Sequence, residues 1–219
     1  MRLPRFALAF IVLVLLAVVT ACAARSTRDQ ARSSAVTVGE AVLAIDSLET
    51  QLAAAQIPGY DAAAQKPVSA AILKALHAAR AYERATKAAT ASSDRSALAQ
   101  LDAAKQAVSQ ALDDVVAVVP AAEQVRGPLT KAVAVARAAL VAASARVEGP
   151  SPVQAAQLPA SIPALLQLAS LIGSLIASGR SSFDRIKAAL AKEGATDEEL
   201  DTLDARLTEA IDRREAGQA

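Results

Sequence analysis

Apolar residues recur along the middle of the chain at the spacing of amphipathic α-helices. The clearest stripe runs from Val38 to Ala55, where apolar side chains follow one another in steps of three and four residues. Such steps place them on one face of a helix. Three more stripes follow, after Pro67, after Asp94 and around Pro128. Pro67 suits the first turn of its helix, so we expect the second helix to begin there. The pattern predicts four amphipathic helices that pack at shallow angles, as in bundles and coiled coils.

A proline-rich stretch divides the helical part of the chain. Residues 149–163 hold four prolines and no charged residue, which is typical of a linker. We therefore assign residues 35–148 to a four-helix Ala-rich bundle and residues 164–219 to a C-terminal helical unit of three helices.

The last helix is well marked in the sequence. Thr196 and Glu199 have the spacing of a capping box at its start. Arg213 and Arg214 suit the negative end of the helix dipole. Its predicted buried stripe consists of Leu200, Leu203, Leu207 and Ile211.

The segment 164–179 is strongly hydrophobic and begins the C-terminal unit. As a helix, its length is about 24 Å, which is less than the roughly 30 Å of a bilayer core. Its polar residues recur at helical spacing: Gln167, Ser170, Ser174 and Ser178. Both features favour burial in protein, with an interfacial or partner-binding helix and a membrane span as the alternatives.

Composition agrees with an all-α fold. Alanine, the strongest helix former, supplies 57 of the 219 residues. Beyond the amino-terminal segment, Tyr60, Tyr82 and Phe183 are the only aromatic residues, and strand-favouring residues are few. The predicted fold is an antiparallel Ala-rich bundle with coiled-coil-like helices, followed by the C-terminal three-helix unit.

The amino terminus has the parts of a secretion signal. Arg2 and Arg5 supply positive charge ahead of an apolar run over residues 6–19. This run would rise only about 21 Å as a helix, which favours a cleaved signal over a permanent membrane span.

A lipidation motif follows the apolar run. Val19, Thr20 and Ala21, one aliphatic and two small residues, precede Cys22, the only cysteine. This motif resembles the lipobox of bacterial lipoproteins. The resemblance implies cleavage before Cys22, a diacylglycerol on its thiol, and an acyl chain such as palmitate on the new amino terminus. Several acyl chains are enough for stable membrane attachment.

A conventional signal peptide is the alternative, because the small residues around Cys22 also satisfy the ordinary cleavage rule. A secreted protein with one unpaired thiol is open to oxidation, so we favour lipidation. Ala23 stands where the family's inner-membrane retention signal has Asp, which favours the outer membrane if the host is Gram-negative. Residues 1–21 are then the lipoprotein signal peptide, and residues 22–34 form a lipidated tether.

Charge and chemistry exclude several function classes. Without residues 1–21, which carry two arginines, 21 basic residues face 22 acidic ones, a net charge of −1. This balance argues against nucleic acid as a partner. His77 is the only histidine, and nucleophile-elbow, zinc, calcium and phosphate-loop motifs do not occur in the sequence. We expect no enzymatic activity, no metal and no cofactor.

Two groups of basic residues are candidate contacts. The first follows one side of the second helix and suits an envelope protein or a glycan: Lys74, His77, Arg80, Arg84 and Lys87. Its alternative is a solvated face that pairs with acids elsewhere in the bundle. The second lies in the tether and suits anionic lipid head groups: Arg25, Arg28 and Arg32. Its alternative is ordinary solubilising charge.

These features predict a lipid-anchored scaffold or adaptor that presents a helical bundle in the periplasm or at the cell surface. The expected partner is another envelope protein or a glycan. The alternative is a membrane-perturbing or membrane-inserting accessory protein that uses the helix at 164–179.

Overall fold

The computed structural model describes residues 31–92, 94–147 and 195–218, which form helices and short connections without a strand. The helices are α1 (31–54), α2 (Ala62–Ala91), α3 (Arg95–Val118), α4 (Glu123–Val147) and α5 (Asp197–Gln218). The predicted all-α bundle is confirmed. The predicted signal peptide, the predicted linker 149–163 and the hydrophobic segment 164–179 lie outside the described residues.

Helix α1 begins earlier than the sequence indicates. Residues 31–34, assigned above to the tether, are helical, and Ala31, Ser33 and Ser34 are buried. Serine is a weak signal for a helix interior, because its hydroxyl competes for backbone hydrogen bonds. Helix α1 therefore includes at least four residues of the predicted tether.

Helix α2 also begins before its predicted start. Asp61 is the N-cap, and its carboxylate accepts a hydrogen bond from the Ala64 amide at 3.0 Å. Pro67 therefore lies inside the helix rather than in its first turn. Proline has no backbone N–H, so the helix lacks one hydrogen bond at this position. A helix of 30 residues tolerates this loss when tertiary packing stabilises it.

Ion pairs define the direction of α5. Arg206 and Arg214 of α5 bind Glu40 and Asp46 of α1 in the same order along both helices, so α5 runs parallel to α1. The contacts between α5 and α2 run in opposite order, which makes these two helices antiparallel. Helix α2 also packs along α3, and α3 contacts α4.

One hydrophobic cluster includes residues from all five helices. The predicted stripe of α5 is buried in it: Leu200, Leu203, Leu207 and Ile211. The capping box is also present, because the Thr196 amide donates to Glu199 Oε2 at 2.9 Å and the Glu199 amide donates to Thr196 Oγ1 at 3.2 Å. The last helix therefore shares its core with the bundle formed by α1–α4.

Gly39 permits the close approach of α1 and α5. A methyl group added at Gly39 would lie 2.7 Å from Leu203 Cδ2, inside van der Waals contact. Leu203 is itself buried, so it has little room to move. A glycine in the middle of α1 thus lets the two helices meet at this level.

Candidate functional site

Arg214 of α5 lies at the centre of a buried charged cluster. Its side chain is 8% exposed, and those of Asp46 and Glu49 on α1 are equally buried. The guanidinium binds the Asp46 carboxylate and donates to Glu49 Oε2 and to Ser69 Oγ, each at 2.8 Å. The Tyr60 hydroxyl donates to the other Glu49 oxygen at 2.7 Å. This Arg214 cluster joins α5, α1, α2 and the loop between α1 and α2.

The electrostatics of the Arg214 cluster keep its donors protonated. Burial by itself lowers the pKa of Arg214, but the carboxylates of Asp46 and Glu49 outweigh this, and the pKa is raised. Burial raises the pKa of Tyr60 well above its ordinary value, and its hydrogen bond to Glu49 acts in the same direction. Arg214 and Tyr60 therefore remain donors near neutral pH, which suits a structural lock.

The basic row on α2 is paired with acids elsewhere in the chain. The paired residues are Lys74 with Asp114 at 3.7 Å, His77 with Glu215 at 3.3 Å, Arg80 with Asp204 at 2.8 Å, Arg84 with Asp204 at 3.3 Å, and Lys87 with Asp201. Asp114 belongs to α3 and the other acids belong to α5. The row thus pairs with acids elsewhere in the bundle, which was the alternative interpretation of these residues. Its binding to an outside partner stays a prediction.

The pairing of this row raises the pKa values of Arg80 and Lys87 and lowers that of Asp204. The hydrogen bond from Arg80 to Asp204 raises the pKa of Arg80. Partial burial alone would raise the pKa of Asp204, but the hydrogen bonds from Arg80 and Arg84 lower it below its ordinary value. These pairs are therefore fully charged at neutral pH.

Arg32 lies in a protein contact at the start of α1. Its guanidinium lies 3.0 Å from Asp197 Oδ1 of α5, and its Nε donates to Thr90 Oγ1 of α2 at 3.4 Å. Helix α1 therefore includes Arg32, which was predicted to lie in the tether, and its contact with anionic lipid head groups stays a prediction. The other predicted tether and lipidation residues lie outside the described part of the chain: Val19, Thr20, Ala21, Cys22, Arg25 and Arg28.

Glu83 of α2 is a buried carboxylate that sequence analysis missed. Its side chain is fully buried, and neither oxygen accepts a hydrogen bond from a donor other than Lys87 within the described residues. The Lys87 ammonium lies 3.3 Å from Oε1 and is its nearest charge partner. Burial raises the pKa of Glu83, although Lys87 acts in the opposite direction. A signal was present, because Glu83 continues the stripe of Leu76 and Ala79 at helical spacing.

The described residues show two further features of the chain. No group of three or more histidine, cysteine, aspartate or glutamate side chains among them is placed to hold a metal ion. Among the same residues, no helix combines the length and apolar character needed to cross a bilayer.

Comparisons of the chain with protein-family models, with curated proteins and with solved structures found no match.

Proposed function

We propose that the protein is a lipid-anchored scaffold or adaptor of a bacterial cell envelope. The observation that carries this proposal is the lipobox-like sequence from Val19 to Cys22, which follows a basic start and a short apolar run. A bundle whose helices are fastened to one another by ion pairs supports it, because a scaffold needs a rigid surface to present. The proposed partner is another envelope protein or a glycan.

The fold gives the proposed scaffold a defined polarity. Arg32 of α1 meets Thr90 at the end of α2 and Asp197 at the start of α5, and we name this the proximal end of the bundle. Eight residues lie between Cys22 and Ala31, the first described residue of α1, and the nine steps from one Cα to the next span at most about 32 Å. A lipid on Cys22 would therefore hold the proximal end close to the membrane.

The opposite end of the bundle would point away from the membrane. Residues 31–54 rise about 36 Å along α1, and the connection 55–61 then turns the chain back into α2. We name this the distal end. The Arg214 cluster lies there and fixes the connection through Tyr60, so the distal end has a firm shape on which a partner can dock.

Photo-cross-linking in intact cells tests this function. A photoreactive residue would replace Lys66, which is exposed at the distal end, and in a second variant Leu98, which is exposed near the proximal end. We expect the probe at Lys66 to capture one defined envelope protein or glycan, and the probe at Leu98 to give no such product.

The same experiment distinguishes the scaffold or adaptor function from membrane insertion. A membrane-inserting protein that uses residues 164–179 would bring lipid to its surface. Lipid adducts at both probe positions, without a defined partner at Lys66, would contradict the adaptor proposal and favour membrane insertion.

A further inference from the structure

Glu83 occupies the side of α2 that faces α5. It lies three residues after Arg80 and four before Lys87, so the three residues share one helix face. Arg80 and Lys87 both bind acids of α5. Their side chains are partly exposed, whereas that of Glu83 is fully buried. Glu83 therefore lies buried beside the contact between α2 and α5.

The charges around Glu83 connect it to α5. The Lys87 ammonium lies 3.3 Å from Glu83 Oε1 and also binds Asp201 of α5. Asp204 of α5 adds a second negative charge near Glu83, and Arg84 a positive one. One lysine is thus shared by two carboxylates, and the buried one accepts no hydrogen bond from any other donor among the described residues.

An ionised carboxylate in this position is costly to bury. Burial of charge without full pairing and hydrogen bonding is unfavourable, whereas a protonated carboxyl group avoids most of that cost. Separation of α5 from α2 would admit water to the carboxylate. The ionised form therefore stabilises the separated arrangement relative to the packed one.

We propose that Glu83 is a proton-controlled latch for α5, which is held on α2 when Glu83 is protonated and is released more often when Glu83 is ionised. The inference stands on the contacts between α2 and α5 and does not depend on the lipid anchor. It gives the bundle a conformational change that responds to pH.

The sign of the pH dependence follows from proton linkage. Burial raises the pKa of Glu83 in the packed arrangement, so that arrangement binds the proton more tightly than the separated one. Packing of α5 is therefore strongest at low pH and weakens as the pH rises from the ordinary glutamate range to the raised pKa. One proton changes the opening equilibrium by at most about tenfold per pH unit.

Other charged groups of this interface are controls for the proposal. His77 pairs with Glu215 of α5 at 3.3 Å. Glu209 is an exposed glutamate on α5 that pairs with Arg213. On α1, Glu40 is paired with Arg206 of α5.

Hydrogen exchange of the α5 amides measures how often α5 separates from α2. The full chain in detergent micelles would be compared between about pH 5 and about pH 8 after correction for intrinsic exchange, as wild type and as Glu83→Gln, His77→Gln and Glu209→Gln. We expect opening of α5 to increase with pH in wild type and in the His77 and Glu209 variants. In the Glu83→Gln variant, the opening of α5 should stay constant within about twofold over this pH range. At the highest pH, the α5 amides of this variant should exchange more slowly than those of the other proteins.

Two results would overturn the latch. One is a pH dependence of α5 opening in Glu83→Gln that equals that of wild type, and the other is exchange of α5 only through unfolding of the whole bundle. If Glu83→Gln fails to fold, the carboxyl carbon of Glu83 can be followed by NMR in the wild-type protein. Titration of that carbon at the ordinary glutamate pKa would also contradict the proposal.

Discussion

Replacement of Arg214 by leucine is expected to lower the free energy of unfolding by about 3–5 kcal/mol. The change leaves the carboxylates of Asp46 and Glu49 buried without the guanidinium that compensates them, and it removes the donor to Ser69. Removal of one member of a buried charged group costs this much because the remaining charge cannot be hydrated. Chemical denaturation followed by circular dichroism measures the change.

Arg213 provides a matched control for this prediction. It is the same residue type at the neighbouring position, but its side chain is 58% exposed and lies 3.7 Å from Asp46 Oδ2. Exposed pairs contribute little, so Arg213→Leu should change the free energy of unfolding by less than about 1 kcal/mol. Equal losses in the two variants would contradict the role assigned to the Arg214 cluster.

Replacement of Cys22 by serine is expected to release the protein from membranes. Serine lacks the thiol to which a lipoprotein's diacylglycerol is joined, and membrane attachment depends on the buried acyl chains, each methylene of which contributes about 0.8 kcal/mol. The variant should incorporate no labelled fatty acid and should lose nearly all its membrane-bound fraction after cell fractionation.

A second variant in the predicted tether shows whether loss of attachment is specific. Ser26→Ala alters a residue close to Cys22 and leaves the thiol in place. It should keep both the fatty-acid label and the membrane-bound fraction. A Cys22→Ser protein that remains labelled and membrane-bound would show that the lipobox interpretation is wrong.

Hydrophobic periodicity was sufficient to predict the fold class and the core-facing side of the last helix. It was less accurate for where helices begin, because the start of a helix depends on individual caps and on tertiary packing. Asp61 starts α2 before Pro67, and buried serines extend α1 into the region assigned to the tether. Neither a capping aspartate nor a buried serine changes the spacing of the apolar residues. Hydrophobic periodicity therefore does not show where these helices begin.

The ionic contacts were harder to predict than the fold. The basic row on α2 was visible in the sequence, but the acids that pair with Arg80 and Lys87 lie more than a hundred residues away on α5. Arg214 was interpreted as a charge at the end of the helix dipole, whereas α5 continues to Gln218 and the side chain turns into the core. The spacing of apolar residues predicts which face of a helix is buried. It does not identify the helix that packs on that face.

Mass spectrometry of the amino-terminal peptide of the mature protein tests membrane attachment through Cys22 most directly. We predict a peptide that begins at Cys22 and carries the mass of a diacylglyceryl group and an additional acyl chain. A mature peptide that begins elsewhere, or one in which Cys22 is an unmodified thiol, would contradict a lipid-anchored protein.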